Sequence, residues 1–580
     1  MRQIEYIEHR IKLVALISAC MLAVILLRLI NLQIYSFARF FSLGQRNFLR
    51  IEKTATARGS ILDAKGRPLA TSQALTSLYW SGTGNATFTP DQQALIEHLI
   101  QQLPSLSTVL TTPEFLSAER RKKKLLLAPE INFKTLSALT ERYPHHPNIV
   151  LSTYFKRIYP HKKYACHVLG YLGSLSHNYQ GQMGLERIHE DVLRGKLGSI
   201  RKTVNSKGHI LTEEELEKPI KGQDLKTTLD LDLQKIAEDI FPSTYAGVML
   251  GLSPTTGAIK FTLSRPGFNP NMFLSSFDEQ SWTALKNQKQ PFINRTFSAL
   301  YPPASLFKLV TISAALEHGL ITPEDVWNCT GSIFFGGRRY YCNNQSGHGE
   351  VNPKQAVARS CNIPFYEIAK NIKIDVLADY AYRFGLGSKT GASLPEETGL
   401  IPTTTWKMNH KKERWWPGET LSAAIGQSFL LVTPLQLARM VSAICSGYFV
   451  KPCILAREIE SQHTHEPLDL KPETQEFLKD SMRMSVREGG TSRTLGAMSK
   501  DTLTIYAKTG TAQTSGLHKR HQGEKYREHG WFVAYIQYKD YDPITILVLL
   551  EHAGSSVYAL EVAKQFLKRY CTLLDSFSQN

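Results

Sequence analysis

The apolar positions run in different rhythms along the chain. From Leu13 to Leu27 no charge interrupts them, and after Arg28 they resume through Leu29, Ile30, Leu32 and Ile34. About 20 apolar residues span a bilayer core. This stretch is long enough if Arg28 reaches the interface with its head group, so it predicts a transmembrane helix over 13–34 behind a short tail, 1–12. Ile17-Ser18-Ala19-Cys20 has the look of a lipoprotein cleavage site, but the chain stays apolar well past Cys20 and no A-x-A site ends the run, which favours an uncleaved anchor. Ser36 to Glu52 reads as a polar, partly helical connector. A first extramembrane region then runs to about Lys221, so that 35–221 forms one domain, with short strand-like pieces and a helical insertion from about Asp91 to Tyr143 inside a head of roughly 85–150.

From Tyr245 the rhythm changes. Ala246–Leu252 is a buried-strand run closed by the turn Ser253-Pro254-Thr255-Thr256-Gly257, with a return strand at Ala258–Leu263. Helical periodicity follows at Leu306–Glu317, Pro353–Lys370 and Pro434–Cys445, after an earlier helix at Leu231–Ile240. Strands return at Thr502–Ala507, Trp531–Tyr538 and Ile544–Leu550, and a last helix runs over Tyr558–Leu573. A strand pair, a helix cluster, more strands and a closing helix predict one α/β (α+β) domain over 243–575, an antiparallel sheet packed against helices.

Composition changes this picture only a little. The 580 residues suggest about three to four domains, and a 42% hydrophobic fraction fits real cores and excludes global disorder. The net charge of +17 favours anionic partners. It is scattered, however, and its densest run, Arg120 to Lys124, reads as a solvated helix face. Zinc-finger spacing and aromatic-plus-basic repeats are missing, which argues against nucleic acid. The histidines form no H-E-x-x-H, and His145-His146 reads as a surface pair. Eight cysteines include no C-x-x-C. Cys329 and Cys342 bracket a short Gly- and Tyr-rich loop, either as a disulfide outside the cytosol or as two small buried thiols.

The chemistry sits in three short patterns: Ser305-Leu306-Phe307-Lys308, Ser360-Cys361-Asn362 and Lys508-Thr509-Gly510. Each occurs twice, since Ser199–Lys202, Ser176–Asn178 and Lys389–Gly391 repeat the three forms, and context has to choose. Ser305 follows Pro302-Pro303 and opens an apolar-periodic helix. A serine there is ordinarily an N-cap. Lys308, in contrast, faces the positive end of the helix dipole, which is unfavourable unless it has work to do. One helical turn sets it beside Ser305, where burial and the dipole favour a neutral amine able to take the serine proton. The Ser199 copy lies among glycines with no apolar helix behind it and reads as a loop. Lys508-Thr509-Gly510 ends an alternating strand, and Thr511 continues it. A strand edge carrying a lysine and two hydroxyls suits the carboxylate of an extended peptide that adds as a further strand, while Gly510 lets it come close. The Lys389 copy reads as a surface turn.

This set of patterns is the signature of penicillin-binding proteins and serine β-lactamases, and the chain resembles the class B penicillin-binding proteins over nearly all its length. Arg58–Asp63 with Gly66, Arg157–Pro160 with His167–Tyr171, and Gly181 with Gly184-Leu185-Glu186 look like that family's three pedestal motifs, which a β-lactamase or β-lactam sensor would not need. Trp415–Thr420, Ile425-Gly426-Gln427 and Thr433–Ala438 resemble its elongation-type branch, penicillin-binding protein 2, with the septal type as the alternative. The resemblance implies a peptidoglycan D,D-transpeptidase in which Ser305 attacks a D-Ala-D-Ala stem peptide with Lys308 as base. Ser360 and Lys508 would pass the leaving-group proton, and Asn362, Thr509, Gly510 and Thr511 would hold substrate. It implies covalent binding of β-lactams, no cofactor and no metal. It also implies a single-pass anchor in a bacterial cytoplasmic membrane with the catalytic domain outside, and a pedestal partner of the SEDS glycosyltransferase kind. A D,D-carboxypeptidase or a scaffold for that partner are the rival readings. The sequence departs from the family at two places, Ala304 and Ser428, where glycine is usual.

Overall fold

The computed structural model describes all residues except 1, 145, 176–177, 206–209, 275–278, 461–464, 488, 500–501, 515–521 and 579–580. The second S-x-N copy therefore falls partly outside the described residues at Ser176 and His177, as does His145. The chain divides into two compact units, one of Met1–Arg58, Ala74–Phe155 and Arg194–Gly222, the other of Gly59–Gln73, Lys156–Leu193 and Gln223–Asn580.

The first unit begins with helix Arg2–Ile30, which passes through a π-helical turn, Asn31–Tyr35, into helix Phe37–Phe48. Ile7–Tyr35 is long and apolar enough to cross a membrane, with none of its most apolar window buried in protein. Strands Leu49–Thr54, Gly198–Val204 and Ile210–Glu217 form an antiparallel sheet. The second S-x-x-K copy lies on its middle strand and not in a loop. There Ser199 Oγ donates to Glu217 (3.4 Å) and Lys202 pairs with Glu52 (2.9 Å) and Glu213 (3.4 Å). The period-2 alternation of a strand sends positions three apart to opposite faces, so these two side chains have no common chemistry.

The insertion holds helices Pro90–Gln102, Pro113–Arg120 and Phe133–Arg142 around a core of Leu78, Trp80, Leu95, Phe115 and Leu139. The basic run at 120–124 is not one helix face. The helix ends at Arg120, and Lys124 opens strand Lys124–Ile131, where the alternation Leu125, Leu127 was hidden among consecutive leucines.

The second unit is built on a five-stranded antiparallel sheet in the order Ile259–Arg265, Gly247–Leu252, Ile544–Leu550, His529–Tyr538, Leu503–Ala512. Its central strand shows why the sequence reads as a continuous apolar run: Leu547 and Leu549 enter one core, while Ile546, Val548 and Leu550 enter the other. A strand covered on both faces has no polar side to alternate. Helices Leu231–Ile240 and Ser556–Ser578 cover one face. On the other face lies a helical cluster that includes Lys308–Glu317 and Pro434–Ser446. The last helix begins on a capping box, in which Thr433 accepts from Gln436 N and the Gln436 side chain returns to Thr433 N.

The same unit contains the second and third pedestal patterns. Arg157 donates to Glu186 (2.8 Å) and to Gly59 O (2.7 Å), and Tyr159 donates to the same carboxylate (3.1 Å). Both partners of the ion pair are almost wholly buried.

Candidate active site

The predicted helix Pro353–Lys370 is two helices, Pro353–Ala358 and Ile363–Asn371. The break between them places the S-x-N residues. Ser360 adopts a left-handed backbone, φ 57°, a conformation that costs an L-residue about 1–2 kcal/mol and turns its hydroxyl inward. The side chain is buried, with 5% exposure. Strain of this kind collects at functional positions.

Ser305 does not open an α-helix directly. It lies in a 3₁₀ turn, Ala304–Leu306, and helix Lys308–Glu317 starts two residues later. Three contacts clamp the turn: Ala304 N donates to Gly426 O (2.9 Å), Phe307 N to Ala304 O (2.9 Å) and Trp531 Nε1 to Pro302 O (3.1 Å). Both departures from the family pattern, Ala304 and Ser428, sit in the left-handed region, at φ 51° and 69°. The glycines usual there would relieve that strain.

Beneath this turn two lysines meet at one hydroxyl. Lys308 Nζ donates to Ser360 O (2.7 Å), Ser360 Oγ (3.3 Å) and Asn362 Oδ1 (2.7 Å). Lys508 Nζ donates to Ser360 Oγ (3.1 Å) and Thr509 O (3.0 Å). Both lysines are fully buried. Burial disfavours the ammonium and pushes Lys308 down to about 8, while the nearby sulfurs of Cys342 and Cys361 oppose the shift. Lys508 falls well below the ordinary lysine value, first through burial and then through the charge of Lys308. Ser305 is not in this hydrogen-bond set: among the described residues its hydroxyl has no partner, and Lys308 points past it to Ser360 and Asn362.

Lys508, Thr509, Gly510 and Thr511 lie on the edge strand Leu503–Ala512, paired on one side only, with Thr511 opposite Gly530. A cavity of about 660 Å³ opens above, lined by Ser305, Ser360, Asn362, Thr509, Gly510 and Thr511. The structure thus brings together all eight residues that the sequence singled out, six on the wall and two lysines under the floor. The second K-T-G is not part of this group. Thr390 of the second K-T-G accepts no such role, since its hydroxyl and N–H both bind Glu396 (2.7 and 3.0 Å) in a loop.

Of the two readings of Cys329 and Cys342 the structure has the buried thiols, in a cluster that the sequence hardly announces. Cys329 and Cys342 are not joined in a disulfide. All eight cysteines are free. Cys342 lines the same cavity and accepts a hydrogen bond from Asn362 N–H (3.4 Å). With Cys329, His348 and Cys361 it forms a group whose ligand atoms lie within 4.8 Å of one another. Cys342 Sγ is 3.8 Å from Cys361 Sγ and 3.5 Å from His348 Nδ1, which is 3.6 Å from Cys329 Sγ. The edges of a zinc tetrahedron with ligands about 2.0–2.3 Å from the metal are roughly 3.3–3.8 Å. The donor set and spacing fit that ion. The one available hint was Cys361 itself, standing inside the S-x-N pattern.

Comparison with known proteins identifies two domains. The penicillin binding protein transpeptidase domain matches residues 247–571, and the penicillin-binding protein dimerisation domain matches residues 53–227. The peptidoglycan D,D-transpeptidase MrdA of Escherichia coli (strain K12) is 28% identical over 606 residues, covering 96% of this chain and 93% of that protein. Among solved structures, the penicillin-binding protein PBP2 of Helicobacter pylori, in complex with MreC, superposes with a TM-score of 0.73 at 26% identity, covering 90% of this chain and 99% of that one. A chain from a peptidoglycan synthase complex that coordinates polymerization and crosslinking gives a TM-score of 0.75 at 30% identity, covering 97% and 98%. With the transpeptidase domain matched over more than half its length, this chain belongs to the penicillin-binding protein transpeptidase family.

Proposed function

We infer that the chain is a class B, elongation-type peptidoglycan D,D-transpeptidase that forms peptide cross-links through an acyl-serine intermediate. The observation that supports the site assignment best is the pair of buried lysines sharing the Ser360 hydroxyl under the cavity that holds Ser305.

The cycle follows from that arrangement. An extended stem peptide adds beside Leu503–Ala512, its carboxylate near Thr509, Thr511 and Lys508. Ser305 Oγ attacks the carbonyl carbon of the penultimate D-alanine, and neutral Lys308 takes the hydroxyl proton. The backbone N–H groups of Ser305 and Thr511 take the developing oxyanion. As the C–N bond breaks, the proton reaches the leaving amine through Ser360, with Lys508 stabilising the alkoxide. The amine of a second stem then attacks the ester, and Ser305 recovers its proton. Lys308 now donates to three acceptors, as an ammonium does; as a base it must release one of them and turn its lone pair toward Ser305. A β-lactam follows the first half of this path and stops at the acyl-enzyme.

The N-terminal helix serves as a single membrane anchor, with residues 243–575 as the catalytic domain on the outer side of the cytoplasmic membrane and 35–221 as the pedestal. Relatives solved with MreC and within a synthase complex support a pedestal that docks on partners, among them a SEDS-type glycosyltransferase. The roles of Ser305 and Lys308 are tested by labelling the purified chain with a fluorescent penicillin and mapping the labelled peptide. Ser305→Ala should abolish the label and Ser199→Ala should keep it. A label on any peptide lacking Ser305 overturns the assignment.

A further inference from the structure

A second cavity, of about 560 Å³, is lined by Arg483, Val486, Arg487, Arg493, Gly496 and Ser499. Its three arginines are exposed, and among the described residues none of their side chains has a hydrogen bond or ion pair. Arg493 also lines the cavity that holds Ser305, so the two spaces adjoin. We propose that Arg483, Arg487 and Arg493 form a subsite for a free carboxylate of the second, acceptor stem peptide, and so select an acidic acceptor.

The helix dipole accounts for only part of the cluster. Arg483 stands in the last turn of helix Pro472–Met484, where a cation is favoured, and Arg487 follows just past its end. Arg493 arrives from a separate 3₁₀ turn, Arg493–Leu495. A third guanidinium on the same space adds like-charge repulsion, with no described carboxylate paired to it. The loop between the two elements is held in place. Ser492 N donates to Ser485 O (2.9 Å), Ser485 Oγ to Ala507 O (2.7 Å) and Thr491 N to Ala358 O (3.2 Å). These bonds tie the arginines to the strand residue before Lys508 and to the helix that leads to Ser360. The planar fork of a guanidinium matches a carboxylate.

Placement points to the acceptor. Ser499, on the wall of the arginine cavity, donates to Leu503 O (3.1 Å). That cavity therefore lies by the first half of edge strand Leu503–Ala512, and the Ser305 cavity by the second. On the cycle proposed above, the donor's terminal carboxylate lies by Lys508 and Thr509, and its scissile carbonyl meets Thr511 N–H. The donor's body then extends beyond Thr511, away from the arginines. D-Alanine departs on the Lys508 side, and the attacking amine must arrive where that amine left. Its N–C bond forms as the ester C–O bond breaks, and Ser305 recovers the proton. A stem peptide is acidic, with a carboxylate at its end and others along it, so an acceptor entering past Lys508 brings one to the arginines. This role rests on the transpeptidase reading, while anion binding in the cavity does not.

The test uses the full chain in detergent, acylated by a soluble thioester donor that ends in a carboxylate and releases its thiolate. Water and an added amine then compete for one acyl-enzyme. The ratio of aminolysis to hydrolysis reports the acceptor step alone, however fast the acyl-enzyme forms. Two acceptors are compared, a diamino-acid peptide with free carboxylates and the same peptide with each carboxylate amidated. Wild type should favour the acidic one about tenfold, and less so at high salt. Arg483→Gln and Arg487→Gln should each cut that preference severalfold, and Arg487→Lys, which keeps the charge, should keep part of it. A wild type with equal ratios for the two acceptors overturns the subsite. So do variants that keep the full preference, or whose ratios fall alike for both acceptors, the sign of a merely structural loss. Binding is read separately, by fluorescence anisotropy of the labelled acidic peptide and its amide on the unacylated chain; equal binding of the two overturns the anion pocket. A wild type that prefers the acidic peptide in binding but that neither the thioester nor penicillin acylates sinks the transpeptidase reading and the acceptor role with it, and leaves the anion pocket standing.

Discussion

The sharpest consequence of the two-lysine floor is a pH dependence. Only neutral Lys308 can take the Ser305 proton, and its value is pushed down from 10.5 to about 8. The base form is then roughly 9% of the enzyme at pH 7 and roughly 91% at pH 9, so acylation should rise about tenfold across that interval and level off above it. An ordinary lysine would give a rise of about a hundredfold that continues past pH 10. The assay is the second-order rate constant for acylation by benzylpenicillin, followed by loss of fluorescent labelling, because the carboxylate of that ligand keeps its charge throughout. Lys308→Arg isolates the group, since a guanidinium holds its proton at every pH tested; the variant should be slow and without an inflection near 8. The same shift has a stability sign. Between about 8 and 10.5 the unfolded chain binds more protons at this position than the folded one, so stability rises with pH through that window. Below it the folded state carries a standing cost of about 3 kcal/mol from this one side chain. A flat rate between pH 7 and 9, or a slope that persists to pH 10.5, would refute the assignment of Lys308 as a buried base.

Two further perturbations test how the fold holds the site. Ala304→Gly and Ser428→Gly each remove a side chain from a left-handed position and should raise stability by about 1 kcal/mol, read as a higher thermal midpoint with penicillin labelling kept; a lower midpoint for both would show that the strain is not there. Glu186→Gln leaves Arg157 charged in a site where both partners are almost wholly buried, and should destabilise the second unit by about 3–5 kcal/mol. A thermal midpoint equal to wild type would mean that the pair is not needed for folding and would free these residues for a docking role.

Much of the architecture was legible because it rests on local rules. Helix Leu231–Ile240 and strand Ile544–Leu550 were read to the residue, the helix by its apolar period and the strand by a short unbroken apolar run. Where two signals competed, the reading failed. Residues 353–370 look like one helix because apolar positions continue through them, and nothing local announces that Ser360 must turn left-handed. The cost of that turn is met by Lys308 and Lys508, which come from 52 residues before and 148 residues after it. Ser199–Lys202 looks like a loop because glycines flank it, yet glutamates on both neighbouring strands draw Lys202 into a sheet. The thiol cluster fails for a third reason. Its members are 13, 6 and 13 residues apart in sequence, a spacing that matches no short metal motif, and the ligands are brought together by a hairpin, a turn and a broken helix. The break that delivers Ser360 to the lysines is the same break that delivers Cys361 to Cys342. One residue of strained backbone therefore serves both groups, and loss of the left-handed turn would dismantle the two-lysine floor and the cysteine cluster together.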